Sequence, residues 1–228
     1  MFNRAHHRRI HSVLAAMNAG FLEATGCYFG GGTCLALRLG EFRESVDMDF
    51  LCASRDGYRA LRGAVTNRSL GQVFSVAPRL LREVRFDRYG IRSVLEVEDV
   101  PVKFEIVLEG RVFLGCERIP SLPVPVVDRV GLFTEKLLAN ADRYADRSVY
   151  GRDIIDLLVM IEHWGEIPAQ AWQAAQQAYG AAVAADFDRA RQRLGDDPGF
   201  LNECFEVLAV DPLVQRSIRD RLRPAATL

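Results

Sequence analysis

The chain has 228 residues, of which 49% are hydrophobic and 26% charged, with a formal net charge of -1. This is the balance of an ordinary globular protein with one domain or two small ones and enough apolar residues for a sizeable core. It excludes a protein that coats nucleic acid through global basic charge. No run of 18 apolar residues occurs, and the N-terminus carries histidines and arginines without a long apolar stretch, so no membrane partner and a cytoplasmic location are expected. The five cysteines, at 27, 34, 52, 116 and 204, form no C-x-x-C pair and are odd in number. They are expected to be buried small hydrophobes in a reducing compartment.

From Asn3 to about Ala24, residues Ile10, Val13, Leu14, Met17 and Phe21 recur at helical spacing, which predicts one amphipathic helix. His7 and His11 form an i, i+4 pair without an acidic or cysteine companion, so they are assigned to the polar face. The next stretch, Gly30 to Phe50, organises the rest. A short apolar run, Cys27-Tyr28-Phe29, meets three glycines, a helix-like segment from Thr33 to about Leu39, and Asp47-Met48-Asp49. The order predicts strand, phosphate loop, helix and carboxylate-bearing strand. Backbone N–H groups at Gly31 and Gly32 can approach an anion closely, and a helix N-terminus adds favourable partial charge. In a strand, Asp47 and Asp49 point to one face and Val46, Met48 and Phe50 to the other. Two neighbouring carboxylates call for a cation, and hard oxygen donors suit Mg²⁺ completed by water and substrate phosphates.

Gly31-Gly32-Thr33 followed by Arg43, Ser45, Asp47 and Asp49 resembles the first motif of the nucleotidyltransferase superfamily in its AbiEii/AbiGii toxin branch. The resemblance implies that Arg43 and Ser45 help hold or shape the phosphate site. Without it, the same residues read as a glycine turn, a polar loop and a surface Asp-x-Asp.

Residues 55 to 68 carry Tyr58, Leu61 and Val65 at helical spacing, consistent with a crossover helix. Strand-like runs follow at Val73 to Ala77, Leu80 to Arg85 and Ser93 to Val97, with a turn zone at Gly90. Arg79, Arg82, Arg85 and Arg88 recur every three residues, either as a locally basic face or as a solvated one. Pro101 to Leu108 alternates, with Val102, Phe104, Ile106 and Leu108 on one side and Lys103, Glu105 and Val107 on the other. Glu105 is the candidate third carboxylate. Val102 to Val107, VKFEIV, is similar to the superfamily motif, which implies that Glu105 completes metal coordination or accepts the nucleophile's proton. Many relatives carry Asp there, and the extra methylene reaches about 1.5 Å further.

Pro120, Pro123 and Pro125 mark a boundary, dividing the chain into residues 1–119, a nucleotidyltransferase-like catalytic domain, and 120–228, a helical domain. Asp128 to about Tyr144 forms one helix, with Lys136, Asn140 and Arg143 on one stripe. Gly151-Arg152-Asp153 opens another, with Ile154, Leu157, Leu158 and Ile161 inward. Glu135-Lys136, Arg143, Arg152-Asp153 and Asp156 resemble the toxin branch's second signature, implying that Lys136 contacts nucleotide phosphates and Asp153 orients a basic group. Three further helices, over Ala169 to about Leu194, Asn202 to Leu208 and Leu213 to Leu222, read as a scaffold.

The expected fold is α/β (α+β): a nucleotidyltransferase-like mixed sheet followed by a helical C-terminal domain, with nucleotide in the cleft between them. The expected reaction moves a nucleoside monophosphate from a nucleoside triphosphate to an acceptor hydroxyl, with two Mg²⁺ ions at Asp47, Asp49 and Glu105 and with Gly31, Gly32, Arg43, Ser45, Lys136 and Asp153 binding nucleotide. The resemblance implies a toxin with a cognate antitoxin and an RNA acceptor such as a tRNA 3′ end. A small-molecule nucleotidyltransferase of the antibiotic-modifying sort and a non-catalytic nucleotide-binding module stay open.

Overall fold

The computed structural model describes residues 2–222. Packing divides them into two units: Ser45–Arg129 with the residues before Leu39, and Leu39–Glu44 with the residues after Arg129.

In the first unit, the single helix expected over Asn3 to Ala24 is two, α1 (Ala5–Ala16) and α2 (Ala19–Ala24). Asn18 makes the break. Its side chain accepts a hydrogen bond from Phe21 N at 3.0 Å and caps α2, its backbone N–H donates to Val73 O, and Met17 bridges Phe74. An Asn with partners outside the helix favours the cap over continuation.

Strand β1 (Cys27–Gly30) leads directly into α3 (Gly31–Arg38), so the glycines form the helix N-terminus. Strand β2 (Met48–Cys52) pairs antiparallel with β1, placing Phe29 opposite Phe50 and Gly30 opposite Asp49. Helix α4 (Arg55–Ala64) is capped by Ser54, whose Oγ accepts from Gly57 N. The strand expected at Val73 to Ala77 is absent: Gly71–Val73 is a 3-10 turn, and Val73 and Phe74 fill the core without joining a ladder. A meander follows, β3 (Arg79–Phe86), β4 (Gly90–Val97) and β5 (Val100–Leu108). Asp87 shapes its first turn by accepting from the N–H groups of Tyr89 and Gly90. Short strands β6 (Cys116–Glu117) and β7 (Val126–Val127) complete a mixed sheet of order β3-β4-β5-β2-β1-β7-β6.

Apolar residues at alternate positions fix which face of the sheet is buried. Met48, Phe50 and Cys52 of β2 and Val102, Phe104 and Ile106 of β5 have no exposure. The rings of Phe29, Phe50 and Phe104 run across the sheet at centroid spacings of 5.2 and 5.8 Å, a contact adding about 0.5–1.5 kcal/mol per pair beyond burial. A one-residue slip would turn these rings to solvent, so the register holds Asp49 and Glu105 on the opposite face. Four cysteines are buried as expected, and burial pushes the Cys34 thiol up to about 12. Cys116, on the two-residue strand β6, is exposed, contrary to expectation.

The second unit contains α5 (Arg129–Arg143), most of which lies in it, and α6 (Arg152–Trp164). The long helix expected over Ala169 to Leu194 is two, α7 (Ala169–Tyr179) and α8 (Ala182–Asp196), interrupted at Gly180, whose φ of +82° ends α7. Helices α9 (Pro198–Val207) and α10 (Pro212–Leu222) follow, the former capped by Asp197. The segment Leu39–Glu44 is stitched into this unit by hydrogen bonds from Glu44 N to Leu208 O and from Asp211 N to Phe42 O. Among the described residues no helix is long and apolar enough to cross a membrane.

Candidate active site

The pairing of β2 with β5 sets Asp49 directly opposite Glu105, and the pairing of β4 with β5 sets Arg92 opposite Glu105. Residues opposite one another share a face, so Arg85, Arg92, Glu105 and Asp49 form one row across β3, β4, β5 and β2. A second row contains Arg82, Val94 and Lys103, and Asp47 lies beside it, one residue before β2 begins. Glu105 is held from both sides: Arg92 Nε donates to its Oε1 at 2.6 Å, and Lys103 Nζ stands 3.7 Å from its Oε2. Lys103 Nζ is also 3.9 Å from Asp47 Oδ2. A hollow of about 430 Å³ opens here, lined by Asp47, Lys103, Arg82, Leu81, Val94 and Pro101.

The stretch entering β2 is held by α1 and α3. Thr33 Oγ1 lies 2.8 Å from Ser45 Oγ and 2.5 Å from Asp47 O. His7, fully buried, accepts a hydrogen bond from Ser45 N on its Nε2, and His6 Nε2 lies 2.9 Å from Val46 O. His7 therefore does not lie on a polar face, as its spacing with His11 predicted. Gly31, with φ of +69°, passes so near Asp49 that a Cβ there would stand 2.7 Å from Oδ2.

A second cluster lies inside the helical unit. Arg43 forks onto Asp156 at 2.6 and 2.8 Å, Lys136 Nζ reaches Asp156 at 2.6 Å and Asp153 at 3.0 Å, and Arg143 holds Asp153 at 2.6 and 3.0 Å. Burial pushes the carboxyl groups of Asp153 and Asp156 up, but the cations outweigh it: Lys136 and Arg143 hold Asp153, and Arg43 and Lys136 hold Asp156, below the usual carboxylate range. Asp142 adds a third carboxylate beside Arg143. Arg43, Lys136, Asp153 and Asp156 are each at most 6% exposed.

Asp47 and Asp49 offer hard oxygen donors beside the glycines, a donor set that fits Mg²⁺, which takes its remaining ligands from water and phosphate. Among the described residues no group of three or more His, Cys, Asp or Glu side chains is gathered so that it could hold a metal ion. Glu105 faces its cationic neighbours.

A model of the AbiEii family, described as nucleotidyl transferase AbiEii toxin of a type IV toxin–antitoxin system, matches residues 12–224. The chain belongs to the AbiEii family. Among solved structures, the family member resembles JHP933 from Helicobacter pylori, at 17% identity and a TM-score of 0.50, over 97% of this chain and 95% of that one. It also aligns with an antigenic nucleotidyltransferase-like protein from Paracoccidioides brasiliensis, at 14% identity and a TM-score of 0.49, over 88% of this chain and 94% of that one. At such identity the first likeness speaks for the fold alone. Among curated proteins nothing matches significantly.

In this AbiEii member the residues expected to form one site fall into two sets. Gly31, Ser45, Asp47, Asp49 and Glu105 lie around the carboxylate face of the sheet, with Gly32 in the first turn of α3. Arg43, Lys136 and Asp153 belong to the buried cluster of the helical unit. Sequence reasoning placed Lys103 on the side of Glu105 by strand alternation but gave it no role, and it missed Arg92 beside Glu105 and His6 and His7 against the stretch leading to Asp47. Arg92 depends on the β4–β5 register, and the two histidines depend on a contact across about 40 residues.

Proposed function

We propose that this protein transfers a nucleoside monophosphate from a nucleoside triphosphate to an acceptor hydroxyl. The observation carrying the reading is the register that sets Asp49 opposite Glu105 and against Gly31 at the head of α3. Asp47 and Asp49 would hold Mg²⁺, two ions in the full reading. The metal supplies Lewis-acid stabilisation of charge on the attacking and leaving oxygens. The N–H groups of the first turn of α3, with Gly31 and Gly32, receive the triphosphate, while Ser45 with Thr33 holds the approach to Asp47 in place. Glu105, released from Arg92 and Lys103, accepts the acceptor hydroxyl's proton. The hydroxyl oxygen then bonds the α-phosphorus, the bond to the bridging oxygen breaks, and pyrophosphate leaves with the electron pair. Arg43, Lys136 and Asp153 enter the same proposal as nucleotide-binding residues, supported by the family match, which spans all three.

RNA, with a tRNA 3′ end as its reactive hydroxyl, is the proposed acceptor. Its support is the basic row. Two register shifts in β3 put Arg82 and Arg85, despite their odd spacing, on the face that carries Asp47 and Asp49. Membership in a toxin family supports a cognate antitoxin as partner and a role in the cytoplasm. A second reading, a small-molecule acceptor, is favoured by the hollow beside Asp47, whose size is that of a small-ligand site. Incubation of the protein with labelled nucleoside triphosphates, Mg²⁺ and total RNA decides between them. Labelled RNA with released pyrophosphate is the expected result. Label on a small molecule alone would replace RNA as acceptor, and no metal-dependent pyrophosphate release with either would leave a nucleotide-binding module.

A further inference from the structure

Lys103 and Lys136 are two lysines placed in opposite circumstances. Lys136 is 6% exposed, and its ammonium meets two carboxylates at 2.6 and 3.0 Å. Lys103 projects from β5 with 55% of its side chain exposed, and its Nζ stands 3.9 Å from Asp47 and 3.7 Å from Glu105, beyond hydrogen-bond length. It stands between Asp47, a proposed metal ligand, and Glu105, the proposed proton acceptor. Its charge lowers their mutual repulsion, and its long contacts and flexible stem hold it weakly.

We propose that Lys103 is the resident counter-ion of the carboxylate face, a positioning residue that keeps Asp47 and Glu105 together before a divalent cation arrives and is displaced when it binds. The inference rests on the Mg²⁺ reading above. Arg92 has a different part: it is bonded to the other oxygen of Glu105 at 2.6 Å and also lies 3.8 Å from Asp87, so it restrains Glu105 from the β4 side without reaching Asp47. Lys103 Nζ lies within 4 Å of both Asp47 and Glu105, and it borders the hollow into which its ammonium can swing. Displacement sets a threshold. Metal must outcompete an attached cation whose local concentration is high and constant, so weak or monovalent cations do not take the site.

The test is metal binding without turnover. Mn²⁺, which shares the preference of Mg²⁺ for carboxylate oxygen, is titrated without nucleotide into the full chain. The wild type, Lys103→Gln and Lys103→Arg are compared, with free Mn²⁺ followed by electron paramagnetic resonance and folding checked by circular dichroism. Loss of two exposed ion pairs should tighten Mn²⁺ binding by roughly two- to ten-fold in Lys103→Gln, whereas Lys103→Arg, which keeps the charge, should bind like the wild type. Equal affinity in all three, or weaker binding by Lys103→Gln, would overturn the inference and leave the metal reading standing. No binding in any of them would overturn both.

Discussion

The backbone of Gly31 lies so close to the Asp49 carboxylate that a methyl group on it would stand 2.7 Å from Oδ2, and its φ of +69° is one that side chains resist. Two penalties therefore meet at one position. Gly31→Ala should destabilise the protein by about 1–2 kcal/mol from the backbone alone. It should also displace Asp49, cutting nucleotide-dependent activity far more than stability. Urea denaturation and a pyrophosphate-release assay on the same preparation measure both. Full activity with unchanged stability would show that the tight approach has no functional consequence.

Replacing both Asp47 and Asp49 by Asn should leave the fold intact, since Asp47 is partly exposed and precedes the strand. The rise in melting temperature on adding Mg²⁺ with a nucleoside triphosphate should vanish, because ligand-linked stabilisation requires the site. A shift as large as that of the wild type would place metal and nucleotide elsewhere.

Lys136→Met removes the cation shared by Asp153 and Asp156 and leaves their charge buried. Breaking a buried pair in this way costs about 3–5 kcal/mol. Chemical denaturation should report that loss, and a KM for nucleotide that rises at temperatures where the variant stays folded would add the proposed phosphate contact. A variant as stable as the wild type would mean that Arg43 and Arg143 carry the cluster without it.

The same cluster predicts an acid limit. Asp153 and Asp156 have lowered proton affinity in the folded state, so at mildly acid pH the unfolded chain binds more protons than the native one. Their contribution is present above the unfolded carboxylate value near about 4 and fades as pH falls below it toward the lower folded values. Asp153→Asn should flatten the loss of stability in that window, measured by urea midpoints at successive pH values. Parallel profiles for the variant and the wild type would remove Asp153 from the account.

If RNA is the acceptor, Arg82→Gln with Arg85→Gln should weaken association and reduce its salt slope by about one to two units. Fluorescence anisotropy with labelled RNA at graded salt gives the slope directly. An unaltered slope would move the RNA surface off this face.

What the sequence made legible followed local period. Alternation in Pro101 to Leu108 placed Phe104 inward and Glu105 outward, and the glycines before Thr33 marked the head of a helix, because both signals are carried within a few residues. Arg43 was not legible in the same way. Its partner Asp156 is 113 residues away, and a loop arginine looks alike whether it faces solvent or a buried carboxylate. The break at Asn18 escaped because its competing partner, Val73, lies on a distant turn. Arg82 and Arg85 share a face only through the register shift between them, which no spacing rule anticipates.

The excursion of Leu39–Glu44 into the helical unit lies between the glycines of α3 and the aspartates at β2. A chain ended after Arg129 would keep all seven described strands, yet it would strand Phe42 and the Arg43 charge without Asp156, Leu208 and Asp211. The two units are thus interleaved in the gene although each is compact in space. An exchange of helical units between relatives by one recombination event would leave a mismatched hexapeptide in the middle of the motif, and a second, short exchange around Leu39–Glu44 would be needed to carry a matching segment with it.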